Sequence, residues 1–279
     1  MNFGIKIIFS FILSILFFLV YYKYFKSYEA KYDEKLLHKL KNNEYRFIAH
    51  AGGGIDNLKY TNSLEAIEYS IANDYKMIEI DIRETLDKVF VGVHDWKEFH
   101  EITKKNNDDT IDNFVLTHKE FKKKKIYDRY TPLDIDKINK IFDSNSELIL
   151  ITDKSNNFKK IITDFKFDHR RIMVEIFGKK KYFNAIKQGI INPVYSFNHK
   201  DYDFVIKHKI KIVAAHSQDI INNSSVYKKL IKKGVLVFMF SSNEEEFIIK
   251  NLDILFTHVY TDFWDVKFSK CKSNTCDTY

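Results

Sequence analysis

Cysteine is scarce in this sequence. Only two occur in 279 residues, Cys271 and Cys276, and both lie in a polar C-terminal tail that spans residues 268–279. No paired histidines lie near them, so we do not expect a metal site in the tail. The two thiols close a small disulfide loop if the domain lies outside the cytoplasm, and they stay exposed thiols if it does not.

Several common catalytic and binding motifs are also missing. The chain has no P-loop, no Gly-x-Ser-x-Gly elbow and no His-Glu-x-x-His helix. It also lacks zinc-finger spacing and an RNA-recognition aromatic motif, so nucleic acid is not an expected partner. The net charge of +7 comes mainly from dispersed lysines, with one dense run at residues 122–125. This distribution is typical of a solvated basic surface, and binding to anionic lipid headgroups is the alternative.

One long apolar run stands at the N-terminus. Residues Phe3 to Tyr22 are almost wholly apolar, and lysines follow at positions 23 and 26. About twenty such residues can span a bilayer, and no small-x-small cleavage site follows them. We therefore predict a single-pass membrane anchor over residues 1–25. A charged segment without glycine or proline, residues 26–43, is predicted to form a helical stalk.

Two opposing rules bear on the orientation of this anchor. The lysines after the apolar run favour a cytoplasmic location for the domain that follows, whereas a large C-terminal domain can be exported regardless of charge. We expect the second rule to prevail, which places the domain outside the cytoplasm.

The pattern of residues 44–267 predicts a single α/β domain. A chain of 279 residues with 45% hydrophobic content can bury one core of barrel size. Nine short apolar runs with strand character alternate with helical segments, which favours a parallel barrel or a doubly wound sheet. They lie at residues 47–49, 77–82, 89–93, 148–153, 172–176, 193–197, 210–214, 235–240 and 259–260. We predict a distorted (β/α)8 TIM-type barrel in which one of the nine strands is surplus.

Local features refine this prediction. Too few residues separate Asp81 from Val89 for a crossover helix, so the distortion is expected there. Residues 97–130 form a polar, lysine-rich insertion, which we place near the mouth of the barrel. Asn62, with Glu65 three residues on, has the pattern of a helix cap with its capping-box partner.

Polar residues stand at or just beyond the ends of several predicted strands. In a β/α barrel these ends meet at one face, even when they are far apart in sequence. Glu79 and Asp81 are two residues apart and project from the same side of a strand. With Asp153 they supply the oxygen ligands that a divalent cation such as Ca²⁺ or Mg²⁺ prefers. The alternatives are a salt bridge with Arg83 for the first two and a helix cap for Asp153.

Two histidines, His50 and His94, complete this group of strand-end residues. An imidazole has a near-neutral pKa, so a pair can act as general acid and general base. The alternative for each is a structural, hydrogen-bonded histidine.

Four motifs in these residues resemble the glycerophosphodiester phosphodiesterase family. That family has His-Arg-Gly, Pro-Glu-Asn-Thr, Glu-x-Asp and His-Asp in this order. The matching positions are His50-Ala51-Gly52, Tyr60-Thr61-Asn62-Ser63, Glu79-Ile80-Asp81 and His94-Asp95. Near the C-terminus, Tyr260-Thr261-Asp262-Phe263 resembles the closing strand end of the family, which extends the match over residues 44–265.

Four departures from the family's motifs bear on the site. Ala51 replaces the arginine that usually binds phosphate, and Thr61 replaces the glutamate at the helix start. Asp153 stands where the family has a glutamate, as in the related sphingomyelinase D-type phospholipases. The family's lysine two residues later is Ser155 here, and Lys154 is adjacent to that position.

The resemblance implies a metal-dependent phosphodiesterase that hydrolyses glycerophosphodiesters or related lipid-derived phosphodiesters, and the apolar run adds the expectation that it is membrane-anchored. It implies His50 and His94 as catalytic residues, and Glu79, Asp81 and Asp153 as ligands of Ca²⁺ or Mg²⁺. One alternative is a phospholipase D-like, sphingomyelinase D-type activity on lysophospholipids. The other is a catalytically weak barrel that binds phosphate or glycan.

The apolar run generates the first testable prediction. Full-length protein is expected to remain in the membrane fraction after maturation, because residues 3–22 are apolar enough to insert and carry no cleavage site. Fractionation followed by N-terminal sequencing measures this. Recovery of a soluble protein whose N-terminus begins beyond residue 25 would contradict it.

Overall fold

The computed structural model describes residues 12, 14–19, 29–104 and 114–271. The strands within these residues are β1 (Phe47–Ala49), β2 (Met77–Glu84), β3 (Phe90–Gly92), β4 (Ile149–Asp153), β5 (Ile172–Phe177), β6 (Pro193–Ser196), β7 (Ile212–His216), β8 (Leu236–Phe240), β9 (His258–Thr261), β10 (Trp264–Asp265) and β11 (Lys270–Cys271).

Eight of these strands close into a parallel barrel. Their order is β1-β2-β4-β5-β6-β7-β8-β9, and β9 pairs with β1 to complete the ring. The closure confirms the predicted α/β barrel and excludes the doubly wound sheet. The surplus strand is β3, which pairs antiparallel with the far end of β2, Glu84 opposite Phe90. A hairpin therefore connects β2 to β3, and this is the expected distortion, while the helices that follow β3 lead to the next barrel strand, β4.

The helices surround this barrel. They are α1 (Glu34–Lys39), α2 (Leu64–Ala72), α3 (Trp96–Ile102), α4 (His118–Phe121), α5 (Ile135–Ser144), α6 (Phe158–Asp164), α7 (Lys179–Lys187), α8 (Tyr202–Lys207), α9 (Ser217–Asn222), α10 (Ser224–Lys232) and α11 (Glu245–Asn251). The buried residues of α5, such as Ile138 and Phe142, pack with the outward residues of the strands in one continuous core.

The start of α2 differs from the expected capping box. Ser63 is the N-cap, and its side chain accepts a hydrogen bond from the backbone N–H of Ala66. Glu65 accepts from the backbone N–H of Thr131 at 2.7 Å instead of completing a capping box. Asn62 thus has another role, in the candidate site.

Side chains alternate between the two faces of each barrel strand. In β5, Ile172 and Val174 belong to the outer core under the helices, whereas Met173 belongs to the inner core of the barrel. The inner core is apolar near the starts of the strands, and the inward positions near their ends are largely polar. The inner apolar residues include Ile48, Met77, Ile149, Met173, Val194 and Ile212.

The N-terminal segment closes the lower end of the barrel. Leu36 and Leu40 are buried in the inner core, and Nε2 of His258, the first residue of β9, lies 2.9 Å from the Leu40 carbonyl oxygen. Tyr32 donates a hydrogen bond to the carbonyl of Pro193, where β6 begins, at 3.2 Å. Within the predicted stalk, the described residues are α-helical only over Glu34–Lys39 and pack against the barrel.

Most of the predicted membrane span, Phe3 to Tyr22, lies outside the described residues. Among the residues that are described, no helix is both long and apolar enough to cross a membrane.

The insertion and the tail are described in part. The insertion contributes α4, whose Phe121 packs with Phe99 of α3 in a separate small core beside the barrel, and residues 105–113 lie outside the described ranges. At the C-terminus β10 pairs antiparallel with β11. Cys271 of β11 is not a free thiol, and Cys276 falls outside the described residues.

The closure of the lower end generates a prediction about stability. Leu40→Ala is expected to lower the free energy of unfolding by about 2–5 kcal/mol, because it leaves a cavity at a fully buried position. Urea unfolding measures the change. Leu37→Ala, the same substitution at a partly buried position of α1, is the matched control and should cost less. Equal losses in the two variants would show that the segment does not close the barrel.

Candidate active site

A cavity of about 280 Å³ opens at the C-terminal ends of the barrel strands. All five residues predicted from the sequence line it: His50, Glu79, Asp81, His94 and Asp153. The structure therefore brings together the whole predicted set. Other lining residues are Tyr60, Lys154, Glu175, Phe177, His216 and Tyr260.

Three carboxylates form the floor of this cavity. Parallel pairing of β2 with β4 places Asp81 opposite Asp153, and Glu79 lies one inward position below Asp81. Each offers an oxygen, and these oxygens lie within 4.8 Å of one another. The three residues are only 3–7% exposed. Such close, buried carboxylates form a favourable site for a cation.

Hydrogen bonds from the first β/α loop orient two of the carboxylates. The backbone N–H of Ala51 donates to Oε2 of Glu79 at 2.7 Å. Asn62 donates through its amide to Oδ2 of Asp81 at 3.0 Å, and its carbonyl accepts from the backbone N–H of Asp81 at 3.1 Å. Asn62 is thus a positioning residue, and its fit to the family motif was the signal that could have identified it.

Lys154 supplies a positive charge to the floor. Its Nζ lies 2.7 Å from Oδ2 of Asp153 and 3.3 Å from Oδ1 of Asp81. The backbone at Lys154 has a φ of 58°, in the left-handed region, and this turn directs the side chain into the cavity. The pairing replaces the salt bridge considered for Arg83, whose Nε instead donates to the carbonyl of His94 at 2.7 Å.

The charges of the floor are not balanced. Burial, then the charges of Asp81 and Asp153, raises the pKa of Glu79 well above its usual value. Burial and Asp81 raise the pKa of Asp153 to about 8. Burial also disfavours the ionised form of Asp81, yet Lys154 and Asn62 hold the pKa of Asp81 below its usual value. One lysine therefore does not neutralise the three acids.

The donor set fits a divalent cation. The carboxylate oxygens are hard ligands of the kind that Ca²⁺ and Mg²⁺ take. Oδ1 of Asp153 is buried and has no hydrogen-bond partner among the residues that the structure describes. A buried acceptor without a partner is costly, and a bound cation would satisfy it.

His50 lies directly after β1 and faces a buried aspartate. Its Nδ1 is 3.4 Å from Oδ1 of Asp262, which follows β9. Asn243 donates to the other oxygen of Asp262 at 2.8 Å and also accepts from the backbone N–H of Asp262 at 2.7 Å. Burial opposes ionisation of Asp262, but its contacts with His50 keep its pKa below the usual value. The aspartate is thus placed to orient the imidazole through Nδ1.

His94 is oriented in the same manner by a different residue. Its Nδ1 lies 2.8 Å from Oε2 of Glu98, one turn into α3, and this contact is the main cause of a raised pKa of His94. Tyr60 lies between the two histidines, with ring centroids 4.5 Å from His50 and 5.8 Å from His94. In both imidazoles a carboxylate faces Nδ1, which leaves Nε2 as the nitrogen for a ligand.

A second group of potential ligands has a structural explanation. His94, Asp95 and Glu98 also lie within 4.8 Å of one another. Asp95 is the N-cap of α3 and accepts from the backbone N–H of Glu98 at 2.8 Å, and Glu98 pairs with His94. These contacts satisfy the group without a metal.

No family model and no curated protein sequence matches this chain. Solved structures do match it. A glycerophosphodiester phosphodiesterase from Thermotoga maritima has a TM-score of 0.61 at 17% identity, over 80% of this chain and 96% of that one. One from Parabacteroides distasonis has a TM-score of 0.58 at 16% identity, over 84% of this chain and 90% of that one. A phosphodiesterase from Oleispira antarctica, in complex with the product sn-glycerol-3-phosphate, has a TM-score of 0.58 at 15% identity, over 78% of this chain and 92% of that one.

This chain has the glycerophosphodiester phosphodiesterase fold. The predicted resemblance is thereby confirmed at the level of the fold, which is what identities of this size show.

Two departures from the motifs of this fold have local explanations. The bond from residue 51 to Glu79 is made by the backbone N–H, so it does not depend on the side chain at this position. Thr61, in place of a glutamate, is buried, and its hydroxyl lies 2.9 Å from Oγ of Ser63 at the start of α2.

The excess negative charge on the cavity floor predicts how the stability of the protein depends on pH when no cation is bound. The pKa of Asp153 is about 8 in the folded protein, and an unfolded aspartate titrates near about 4. The bound proton stabilises the fold fully below about pH 4, and that contribution is lost as the pH rises through about 8. In chelator, the free energy of unfolding should fall over this range.

Urea unfolding at a series of pH values measures this slope. Asp153→Asn should flatten it, while Asp143→Asn, at an exposed position, should not. Ca²⁺ or Mg²⁺ should restore stability near pH 8 in the wild type, because the cation binds the ionised carboxylates. A slope that Asp153→Asn leaves unchanged would refute the assignment.

Proposed function

We propose that this protein is a metal-dependent phosphodiesterase that hydrolyses glycerophosphodiesters. The observation that supports this most directly is the arrangement of three buried carboxylates beside two histidines, each with a carboxylate facing its Nδ1. The glycerophosphodiester phosphodiesterase fold of the barrel supports the same reaction class.

Glu79, Asp81 and Asp153 would hold the divalent cation, Ca²⁺ or Mg²⁺. When bound, such a cation neutralises the phosphodiester and the charge that develops in its transition state. Lys154 adds a positive charge beside the same carboxylates. The family's phosphate-binding arginine is Ala51 here, and Lys154 is the residue on the floor whose positive charge could replace it.

His50 and His94 act as the acid and base pair in this proposal. One imidazole removes the proton of the attacking hydroxyl, either water or a neighbouring hydroxyl of the substrate, whose proximity lowers the entropic barrier. The other imidazole donates a proton to the oxygen of the leaving alcohol. If the substrate's own hydroxyl attacks, water then opens the cyclic phosphate. Asp262 and Glu98 orient the two rings, and Glu98 favours the protonated form of His94.

We further propose that residues 1–25 anchor the domain in a membrane, with the domain outside the cytoplasm. The support is the apolar run in the sequence. The segment that follows packs under the strand starts, at the end opposite the cavity. A protein tethered at that end would hold its site away from its own bilayer. This geometry favours a soluble glycerophosphodiester over a lysophospholipid of the same membrane.

A phospholipase D-like activity on lysophospholipids is the second candidate. The feature that favours it is the aspartate at position 153, which the related sphingomyelinase D-type phospholipases share. The third candidate, a weakly active phosphate- or glycan-binding barrel, is favoured by Ala51. Incubation of full-length protein with glycerophosphocholine and lysophosphatidylcholine, with Ca²⁺ or with Mg²⁺, separates the three by their products.

The two histidines give the sharpest test of the enzyme proposal. His50→Ala and His94→Ala should each lower kcat by about 10²- to 10⁴-fold, the usual contribution of general acid–base catalysis. Substrate binding should weaken much less. The double variant should lose much less than the product of the single losses, because the two residues act in one proton-transfer cycle.

A nitrophenyl phosphodiester serves as the matched control substrate. Its leaving group needs no proton, so it should restore the rate of the variant that lacks the acid and not of the variant that lacks the base. If the wild type and both variants hydrolyse nothing yet bind a phosphodiester equally well, the barrel is a binding module and the enzyme proposal is wrong.

A further inference from the structure

A fourth carboxylate, Glu175, lies in the cavity outside the proposed ligand cluster. It follows Met173 by two residues on β5, so its side chain also points into the barrel. The residue is 8% exposed, and its Oε1 has no hydrogen-bond partner among the described residues. The cluster of Glu79, Asp81 and Asp153 does not include it. The proposed reaction therefore leaves this acid without a role.

The hydroxyl of Tyr260 is also buried and without a hydrogen-bond partner among the described residues. Tyr260 lies on β9 and is 2% exposed. Both residues line the one cavity, and neither Oε1 of Glu175 nor the Tyr260 hydroxyl makes a hydrogen bond within the described residues. Burial, and then the negative charge of Glu175, raises the pKa of Tyr260. Two buried polar groups without partners thus face one cavity.

Leaving such groups without partners is costly. A buried acceptor without a hydrogen bond loses its hydration and gains nothing in return, and the loss is larger for a carboxylate. A ligand that donates hydrogen bonds would recover that free energy. The cavity wall near Glu175 therefore favours a ligand that donates hydrogen bonds.

The charges that line the cavity indicate which charge a hydrogen-bond-donating ligand would carry. Four carboxylates, one lysine and three histidines line the cavity. A divalent cation, Lys154 and the one histidine that acts as the general acid carry four positive charges, which balance the four carboxylates. The phosphodiester then adds one negative charge. A substrate whose leaving alcohol is positively charged would compensate that charge.

We propose that Glu175 is a specificity-determining residue that binds a primary ammonium group on the leaving alcohol, such as the ammonium group of ethanolamine. This inference rests on the proposed function. A primary ammonium offers three N–H donors, which suits the unpaired oxygens of Glu175 and Tyr260. A quaternary ammonium offers none, and would depend instead on aromatic rings such as Phe177 and Phe240.

Substrate discrimination by the full-length protein tests this assignment. The substrates are glycerophosphoethanolamine, glycerophosphocholine and glycerophosphoglycerol, and glycerol 3-phosphate release gives kcat/KM for each. The wild type should prefer the ethanolamine diester over the glycerol diester by at least about tenfold, the ratio that one charged contact of about 1.4 kcal/mol produces. Glu175→Gln should remove most of that preference while changing the glycerol diester little.

Glu84→Gln is the matched control. Glu84 lies at the end of β2 and pairs with Asn157 at 3.1 Å, outside the cavity. Its loss removes one negative charge from the same face and should leave the preference intact. Tyr260→Phe removes the second unpaired oxygen and should reduce the preference in part, which keeps the test informative if Glu175→Gln does not fold.

Three results would overturn the assignment. Equal wild-type kcat/KM values for the ethanolamine and glycerol diesters would show that no ammonium is selected. A loss in Glu175→Gln that is equal for all substrates would place Glu175 with the metal ligands. A choline diester as good as the ethanolamine diester would assign selection to the rings.

Binding separates a failure of this inference from a failure of the proposed function. The rise in melting temperature with each diester, in wild type and in Glu175→Gln, needs no turnover. If nothing is hydrolysed but only the wild type binds the ethanolamine diester preferentially, the proposed reaction is wrong and the role of Glu175 stands. If the diesters are hydrolysed but the ethanolamine diester is not preferred, the proposed reaction stands and the role of Glu175 is wrong.

Discussion

The two-residue period of the barrel strands is the constraint on which this site depends. In a closed ring of parallel strands, every second side chain points inward, and the strand ends meet at one rim. The inward positions are apolar at the lower end, as with Met77 and Met173, and carry Glu79, Asp81 and Glu175 higher up. A one-residue slip of any strand would exchange its inward and outward sets. Core packing and site assembly therefore depend on the same register.

The site concentrates negative charge where water is largely excluded. The pKa values of Glu79 and Asp153 are raised, because burial and the neighbouring carboxylates disfavour the ionised form that each would have in water. Lys154 offsets part of this charge and keeps Asp81 ionised. Buried like charges of this kind lower the stability of a protein and at the same time create affinity for a cation. Function and stability thus oppose each other in the same few residues.

The two ends of the barrel have different tasks. At the lower end, Leu36 and Leu40 fill the interior, and Tyr32 ties the chain to the start of β6. At the upper end, strand ends and loops surround an open cavity. The N-terminal segment thus lies at the end of the barrel opposite the cavity.

The sequence alone determined the nine strands of the main sheet and the identity of five residues that line the cavity. Nine strands follow from local apolar runs, and His50, Glu79, Asp81, His94 and Asp153 follow from motifs and from their places at strand ends, because both signals are local. The order β/α/β also determined the class of fold. The closed ring itself was one of two outcomes that this order allowed.

Only the tertiary structure decided which side chains complete the site. The surplus strand is β3. It pairs only with the end of the long strand β2, where β2 extends past the barrel. Lys154 enters the cavity through a left-handed turn that its residue type does not signal. Asp262 lies beside His50, and Glu175 lines the same cavity as Tyr260, from strands far apart in the chain. These arrangements arise from barrel closure and lateral register, which bring together residues that no local pattern in the sequence relates.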